Sequence, residues 1–225
     1  MNGLRWDWEY TWEILPVLGQ ASIITVKATL WSFLLAALLG LLFALLRLSH
    51  IRPLSLIVAG VIECIRSTPL LIQIFFLYYV GPELGLNLSA IHAGILALGV
   101  HYGCYCAEVY RAGLESIPRG QWEAAHALNL SPLITIRDVI LPQAIPPVVP
   151  ALGNYLVALF KETPLLSAIA VVELMQMAKI LGSETFQYTE PMTLVGLFFL
   201  FFSLVSSVLI RCLERWFKTR HRGGH

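Results

Sequence analysis

Charge is scarce in this sequence: of 225 residues, only 13% are Asp, Glu, Lys or Arg, about half of what a soluble domain carries on its water-facing surface. With 57% hydrophobic residues and a mean hydropathy of +0.74, the chain is a membrane protein. A phosphate-binding loop, G-x4-G-K-[ST], is missing, and there is not even a Gly-Lys dipeptide, so any ATP consumption belongs to another polypeptide. Neither H-E-x-x-H nor G-x-S-x-G occurs, which removes the metal and nucleophile signatures of an intramembrane protease or lipid-modifying enzyme. A net charge of +1 excludes a nucleic-acid binder that works by overall basic charge. Of the four cysteines, Cys104 and Cys106 lack the C-x2-C spacing of zinc and redox sites, so all four read as small buried residues and no metal site is expected. The N-terminus has Asp7, Glu9 and Glu13 among tryptophans in place of a basic n-region, and a cleavable signal peptide is not expected.

What is present is a series of apolar runs. Residues 21–46 form one of 26 residues, about 39 Å long as a helix and enough for a hydrocarbon core of about 30 Å. Further spans are predicted at about 54–80, 90–110, 146–163 and 191–210. The second is interrupted by Arg66-Ser67-Thr68-Pro69, and the fourth is crowded at its start by Pro146, Pro147 and Pro150. Five spans place Arg47, Arg52, Arg111, Arg119, Arg137 and the five basic residues from Arg211 to Arg222 on one side, ten of the fifteen Lys and Arg. Arg5, Lys27 and Lys179 fall on the other. The positive-inside rule then sets an extracytoplasmic segment at 1–20, a transmembrane domain at 21–213 and a basic cytoplasmic tail at 214–225. A sixth span over 165–181 would export that tail and would carry Glu173 and Lys179; a surface or partly inserted helix is expected there instead.

Between spans three and four, residues 111–143 make a loop too long for a bare connection. Gly120 to Leu128 reads as a short helix, which Asn129 can end in the left-handed conformation. Ser131-Pro132 can cap and start a second helix, predicted to stop at Pro142. Ala124 and Ala125 would let a partner approach closely. The alternative is a surface helical hairpin packed on the protein's own spans.

Glu123-Ala124-Ala125, followed by Ile140-Leu141-Pro142-Gln143-Ala144, resembles the EAA loop of permease subunits of binding-protein-dependent ABC importers. Arg66-Ser67-Thr68-Pro69-Leu70-Leu71, Ala107-Glu108-Val109-Tyr110-Arg111-Ala112-Gly113 and Ile117-Pro118-Arg119-Gly120-Gln121 resemble the polar amino acid (histidine, glutamine, arginine) branch of that family. The similarity runs from span one to Arg215. Asn129, where the family usually has Gly, and Thr163-Pro164-Leu165, with His101-Tyr102 and Glu162-Thr163-Pro164-Leu165-Leu166-Ser167, look most like permeases of ectoine and hydroxyectoine importers.

The resemblance implies an all-α integral membrane protein of type I ABC importer architecture, located in the bacterial inner membrane. Its implied partners are two copies of an ATPase subunit, a second permease (sister or identical chain), an extracytoplasmic solute-binding protein and a small zwitterionic solute. ATP and Mg would be bound by the ATPase, with no cofactor in this chain. ATPase coupling would fall to Glu123, Ala124, Ala125, Asn129, Leu141 and Pro142.

Ionisable groups inside a bilayer face the protein interior or a wet cavity and often mark a pathway. Glu63 and Arg66, three apart in span two, can simply pair along one helix face. Glu108 can pair with Arg111. Lys161 and Glu162 end an apolar run beside Thr163-Pro164, where a broken helix would free backbone groups for a polar pocket. A zwitterion needs a cation for its carboxylate and an anion for its nitrogen end, so Lys161, Glu162 and Thr163, facing Thr68 and Gln73 at the break in span two, form the candidate solute site. Phe75, Phe76, Tyr78, Tyr79, Tyr102 and Tyr105 can wall such a cavity or serve as packing and interface anchors. His101 reads either as a hydrogen-bonded packing residue or as part of the path.

Overall fold

The computed structural model describes residues 6–222. The first five residues of the N-terminal segment, with Arg5, and the last three of the tail lie outside it. The described residues form helices and connecting turns, without strands. Among the described residues, four helices are long and apolar enough to cross a membrane, and a bent pair makes a fifth when its two halves are counted as one span.

Helix α1 runs from Trp8 to Arg47, 40 residues or about 60 Å, so it begins well before the apolar run at Ala21. Its start is set by Asp7, whose side chain accepts a hydrogen bond from the Tyr10 amide at 3.0 Å, the ordinary role of an N-cap carboxylate. The early turns are held by Tyr10, Ile14 and Leu18, four apart, which pack against Leu174, Ala178, Leu194 and Val195. Further along, small residues such as Ala28, Ser32, Ala36, Gly40 and Ala44 are buried, while Leu38 and Leu45 are exposed. That inside-out pattern suits a helix facing lipid, since large side chains gain nothing by leaving hydrocarbon and small ones let backbones approach. The partner is α4 (Ala90–Glu115). A Cβ on Gly40 would stand 2.5 Å from the Cys106 Cβ and 3.0 Å from the Ala107 amide nitrogen, so only glycine fits this crossing.

Span two is α2 (Arg52–Arg66) followed, after a 102° bend, by α3 (Leu70–Phe75), which continues as a π turn over Phe76–Val80 and a 3-10 turn over Gly81–Leu84. The bend lies at the predicted interruption. Pro69 disfavours helical geometry for Thr68 and stands as the extended N-cap of α3.

Beyond α4, the helix α5 (Arg119–Ala127) ends as the sequence predicts. Asn129 has φ 54°; its amide donates to His126 O at 2.9 Å, and the Leu130 amide donates to Ala125 O at 3.1 Å, the paired bonds of a Schellman ending. The Ser131 hydroxyl accepts from the Ile134 amide at 3.4 Å, starting α6 (Pro132–Ile134).

Here the structure departs from expectation. The second helix does not stop at Pro142, and span four does not begin near Pro146. After α6 comes a π turn, Thr135–Ile140, and then α7, Leu141–Glu162, without interruption. The Leu141 amide reaches back five residues to Ile136 O. This widened turn makes room for the Pro142 ring, which in an α-helix would press on the carbonyl four residues earlier. Thr163-Pro164 does not break the chain sharply either: the helix tightens into a 3-10 segment, Thr163–Ile169, and ends at Ala170, φ 58°.

Helix α8 (Leu174–Thr185) has 12 residues, about 18 Å and too short to cross. Buried Glu173 caps it by accepting from the Met175 and Gln176 amides at 3.0 and 2.9 Å. The last helix, α9, spans Thr189–Arg222.

Candidate solute cavity and cytoplasmic hairpin

The 102° bend leaves the last carbonyls of α2 without helical partners, and two side chains take them. The Thr68 hydroxyl donates to Cys64 O and Ile65 O at 3.2 and 3.0 Å. Gln73 Nε2 donates to Ile65 O at 2.7 Å, to Thr68 O at 3.1 Å and to Thr68 Oγ1 at 2.7 Å. The Gln73 carbonyl oxygen meets His101 Nδ1 on α4 at 3.2 Å. Thr68 and Gln73 are therefore together, and His101 ties the break to span three.

From His101 a ring cluster extends along α4 and onto α7. His101 lies 5.6 Å from Tyr102 and 5.3 Å from Tyr105, and both tyrosines stand within 6 Å of Tyr155 on α7. The Arg66 guanidinium sits over the Tyr105 ring, 4.9 Å from its centroid, a cation–π contact. Its pairing with Glu63 is loose, 3.8 Å, and Glu63 is 73% exposed. Arg66 Nε is buried without a hydrogen-bond partner among the described residues. This guanidinium thus keeps hydrogen-bonding capacity in an aromatic setting.

Glu162 is half-buried, within electrostatic range of the Tyr102 phenol. It makes no hydrogen bond or ion pair with a described residue, and neither does Lys161, which is exposed. Thr163 is wholly buried, and its hydroxyl returns to Phe160 O at 2.7 Å, so its side chain is spent inside the helix. The residues missed in the sequence are Tyr155 and the Arg66–Tyr105 contact. Tyr155 and Glu162 are seven apart, hence on one face of α7, as His101 and Tyr105 are on α4; that spacing was the available signal.

Toward the other end of α4, Glu108 accepts from Arg47 at 2.7 Å and from Arg111 at 2.6 Å, and Arg111 also holds Glu115 at 2.6 Å. The Arg47 bond joins α1 to α4, a cross-helix partner that the local Glu108–Arg111 spacing did not reveal.

In the hairpin formed by α5 and α6, Glu123 and Ala124 face outward but Ala125 is 3% exposed, so only one of the two alanines can meet a partner. Leu128 and Leu133 are each 73% exposed, with Trp122, Ile134 and Ile136 also uncovered. Gln143 Nε2 donates to Val139 O at 2.7 Å and to Gln121 Oε1 on α5 at 3.2 Å, fastening the hairpin to the start of α7. Leu141 is 37% exposed.

Residues 15–219 match the family model described as the binding-protein-dependent transport system inner membrane component, and the chain belongs to this family. A probable amino-acid ABC transporter permease protein of Sinorhizobium fredii is 45% identical over 95% of each chain. The L-cystine transport system permease protein of Bacillus subtilis is 34% identical over 89% of this chain and 88% of its own. A crystal structure of an amino acid ABC transporter with histidines superposes with a TM-score of 0.88 at 34% identity, covering 94% of this chain and 99% of the solved one. The protein is an inner-membrane permease subunit of an amino-acid ABC importer, with the type I fold; it is a transport subunit, and the ATPase is a separate polypeptide.

Proposed function

We propose that this permease carries a small zwitterion of the ectoine or hydroxyectoine type through the space between spans two, three and four. The observation that carries the reading is an Arg66 guanidinium with unfilled bonding capacity over a cluster of three tyrosines, one of which, Tyr102, lies within electrostatic range of the unpaired Glu162. Arg66 suits a carboxylate. The tyrosine rings and Glu162 suit a delocalised cation, which gains from ring faces as well as from charge. This shifts the cationic partner from Lys161 to Arg66 and keeps Glu162, Gln73 and Thr68 at the path. Glutamine, arginine, histidine or opine solutes are the competing reading, supported by relatives named for amino acids and cystine.

The chain works with a second permease, because five crossings are few to enclose a path. Two ATPase subunits supply ATP and Mg, and a solute-binding protein delivers the solute on the extracytoplasmic side. The N-terminus lies outside and the hairpin and C-terminus in the cytoplasm, in keeping with the distribution of basic residues. The exposed Leu128, Leu133 and Trp122 around Glu123 and Ala124 make the surface that docks the ATPase. Alternating access then follows from ATPase movement carried through the hairpin into α7. The deciding measurement uses the assembled complex with its binding protein: ectoine should stimulate ATP hydrolysis at lower concentration than glutamine, arginine or cystine. Stimulation by an amino acid and none by ectoine would discard the narrower reading.

A further inference from the structure

Lys27 is the single charged residue in the apolar run 21–46, and it is exposed without an ion pair or hydrogen bond to any described residue. It lines a groove of about 570 Å3 between α1, the start of α4 and residues 171–172 before α8, walled by Ile24, Trp31, Ile91, Ile95 and Val172. Trp31 is 60% exposed. Besides the Trp31 indole N–H, the other polar side chains in the lining are Ser89 and His92, bonded to each other at 2.8 Å through His92 Nδ1, which leaves His92 Nε2 open. The groove lies at the end of α4 away from the hairpin. An unpartnered ammonium in such surroundings is costly unless an anion or water meets it.

A ligand that satisfies both features has an anionic phosphodiester head and an acyl chain. We infer that the groove holds one anionic phospholipid, its phosphate on Lys27 and His92 and a chain running inward along Trp31 and Ile95. Charge complementarity selects the head, and the apolar walls select a lipid over free phosphate.

The test uses the purified importer complex equilibrated in micelles with equal phosphatidylglycerol and phosphatidylcholine, with retained lipid counted by native mass spectrometry. Wild type should retain phosphatidylglycerol over phosphatidylcholine by about fivefold, the preference that roughly one lysine–headgroup contact gives. Lys27→Gln should abolish the preference and Lys27→Arg keep it. Ile24→Trp, which leaves the charge and fills the groove, should lose the lipid, and it decides the matter if Lys27→Gln fails to assemble. An unchanged preference in Lys27→Gln or Ile24→Trp overturns the inference. So does displacement of the lipid by inorganic phosphate at headgroup concentration, or cross-linking of a cysteine at position 27 to the second permease.

Discussion

Two proline sites in this molecule behave in opposite ways. At Pro69 the chain turns through 102°, whereas α7 runs on through Pro142, Pro146, Pro147 and Pro150 to Glu162. At each site a glutamine side chain donates to a nearby backbone carbonyl: Gln73 to Ile65 O and Gln143 to Val139 O, both at 2.7 Å. What differs is the chain before the proline. Ahead of Pro69, Ser67 already ends α2 and Thr68 turns its hydroxyl back onto the carbonyls, so two helices meet at a joint. Ahead of Pro142 lies a π turn that absorbs the ring, and the prolines at 142, 146 and 150, four apart, confine most missing amides to one stripe. A proline therefore breaks a membrane helix where the preceding turn has let go of its carbonyls. The second links differ too: Gln73 reaches His101 in the ring cluster, and Gln143 reaches Gln121 in the hairpin. On the proposed function, the joint in span two would handle solute, and the unbroken rod of span four would connect that region with the ATPase side.

The strongest break of this comparison removes the input to the rod. Ala124→Arg places a bulky charge on the outward face of α5 and should abolish uptake and ATPase copurification while the permease pair still assembles. Normal uptake with this variant would make the hairpin purely structural. Ala125→Arg is a useful contrast, because Ala125 is buried and its loss should appear as less folded protein.

The next effect lies at the upper end of the rod. If Glu162 holds the cationic end of the solute, Glu162→Gln removes a charge-assisted hydrogen bond worth roughly 1.5 to 3 kcal/mol, which raises the solute concentration for half-maximal uptake about ten- to a hundredfold. The amount of complex in the membrane should hold. An unchanged concentration dependence with less complex would assign Glu162 to structure.

At the joint itself, Gln73→Leu leaves the Ile65 carbonyl to Thr68 alone and strips His101 of its partner. That carbonyl keeps the Thr68 amide and hydroxyl, so the loss is a hydrogen bond worth roughly 0.5 to 1.5 kcal/mol, and the variant should show slightly lower yield and weaker uptake per complex. Gln143→Leu should reduce coupling and leave solute preference unchanged. Identical phenotypes for the two would mean that the sites are not functionally distinct.

Much of this was legible in the sequence wherever one local interaction decides the outcome. Ser131 as a cap, Asn129 as a helix end and Arg66-Ser67-Thr68-Pro69 as an interruption each follow from a residue's own backbone chemistry. The continuation through Pro142 was not legible, since it depends on a π turn that local propensity does not signal. The early start of α1 is masked by the charges of Glu9 and Glu13, although Tyr10, Ile14 and Leu18 have helical spacing. The ring cluster was half legible: Tyr102 and Tyr105 share one stretch of α4, but the place of Arg66 above Tyr105 depends on the 102° bend, a tertiary fact.

The smallest expected effect isolates the turn between hairpin and rod. Asn129 holds φ 54°, a conformation that costs most L-residues roughly 1–2 kcal/mol and glycine almost nothing. Asn129→Gly should therefore leave thermal stability of the complex unchanged or slightly higher, and uptake normal. Asn129→Ala should lower stability by about 1 kcal/mol, since alanine lacks the short polar side chain that makes the left-handed region tolerable. Both variants keep Leu128, Leu133 and Ala124 on the hairpin surface, so neither should change ATPase copurification if the turn serves only to set the angle of α5 on α7. If Asn129→Gly keeps its stability but loses coupling, the asparagine side chain itself contacts the ATPase, and the docking surface extends from the outward face of α5 onto the turn.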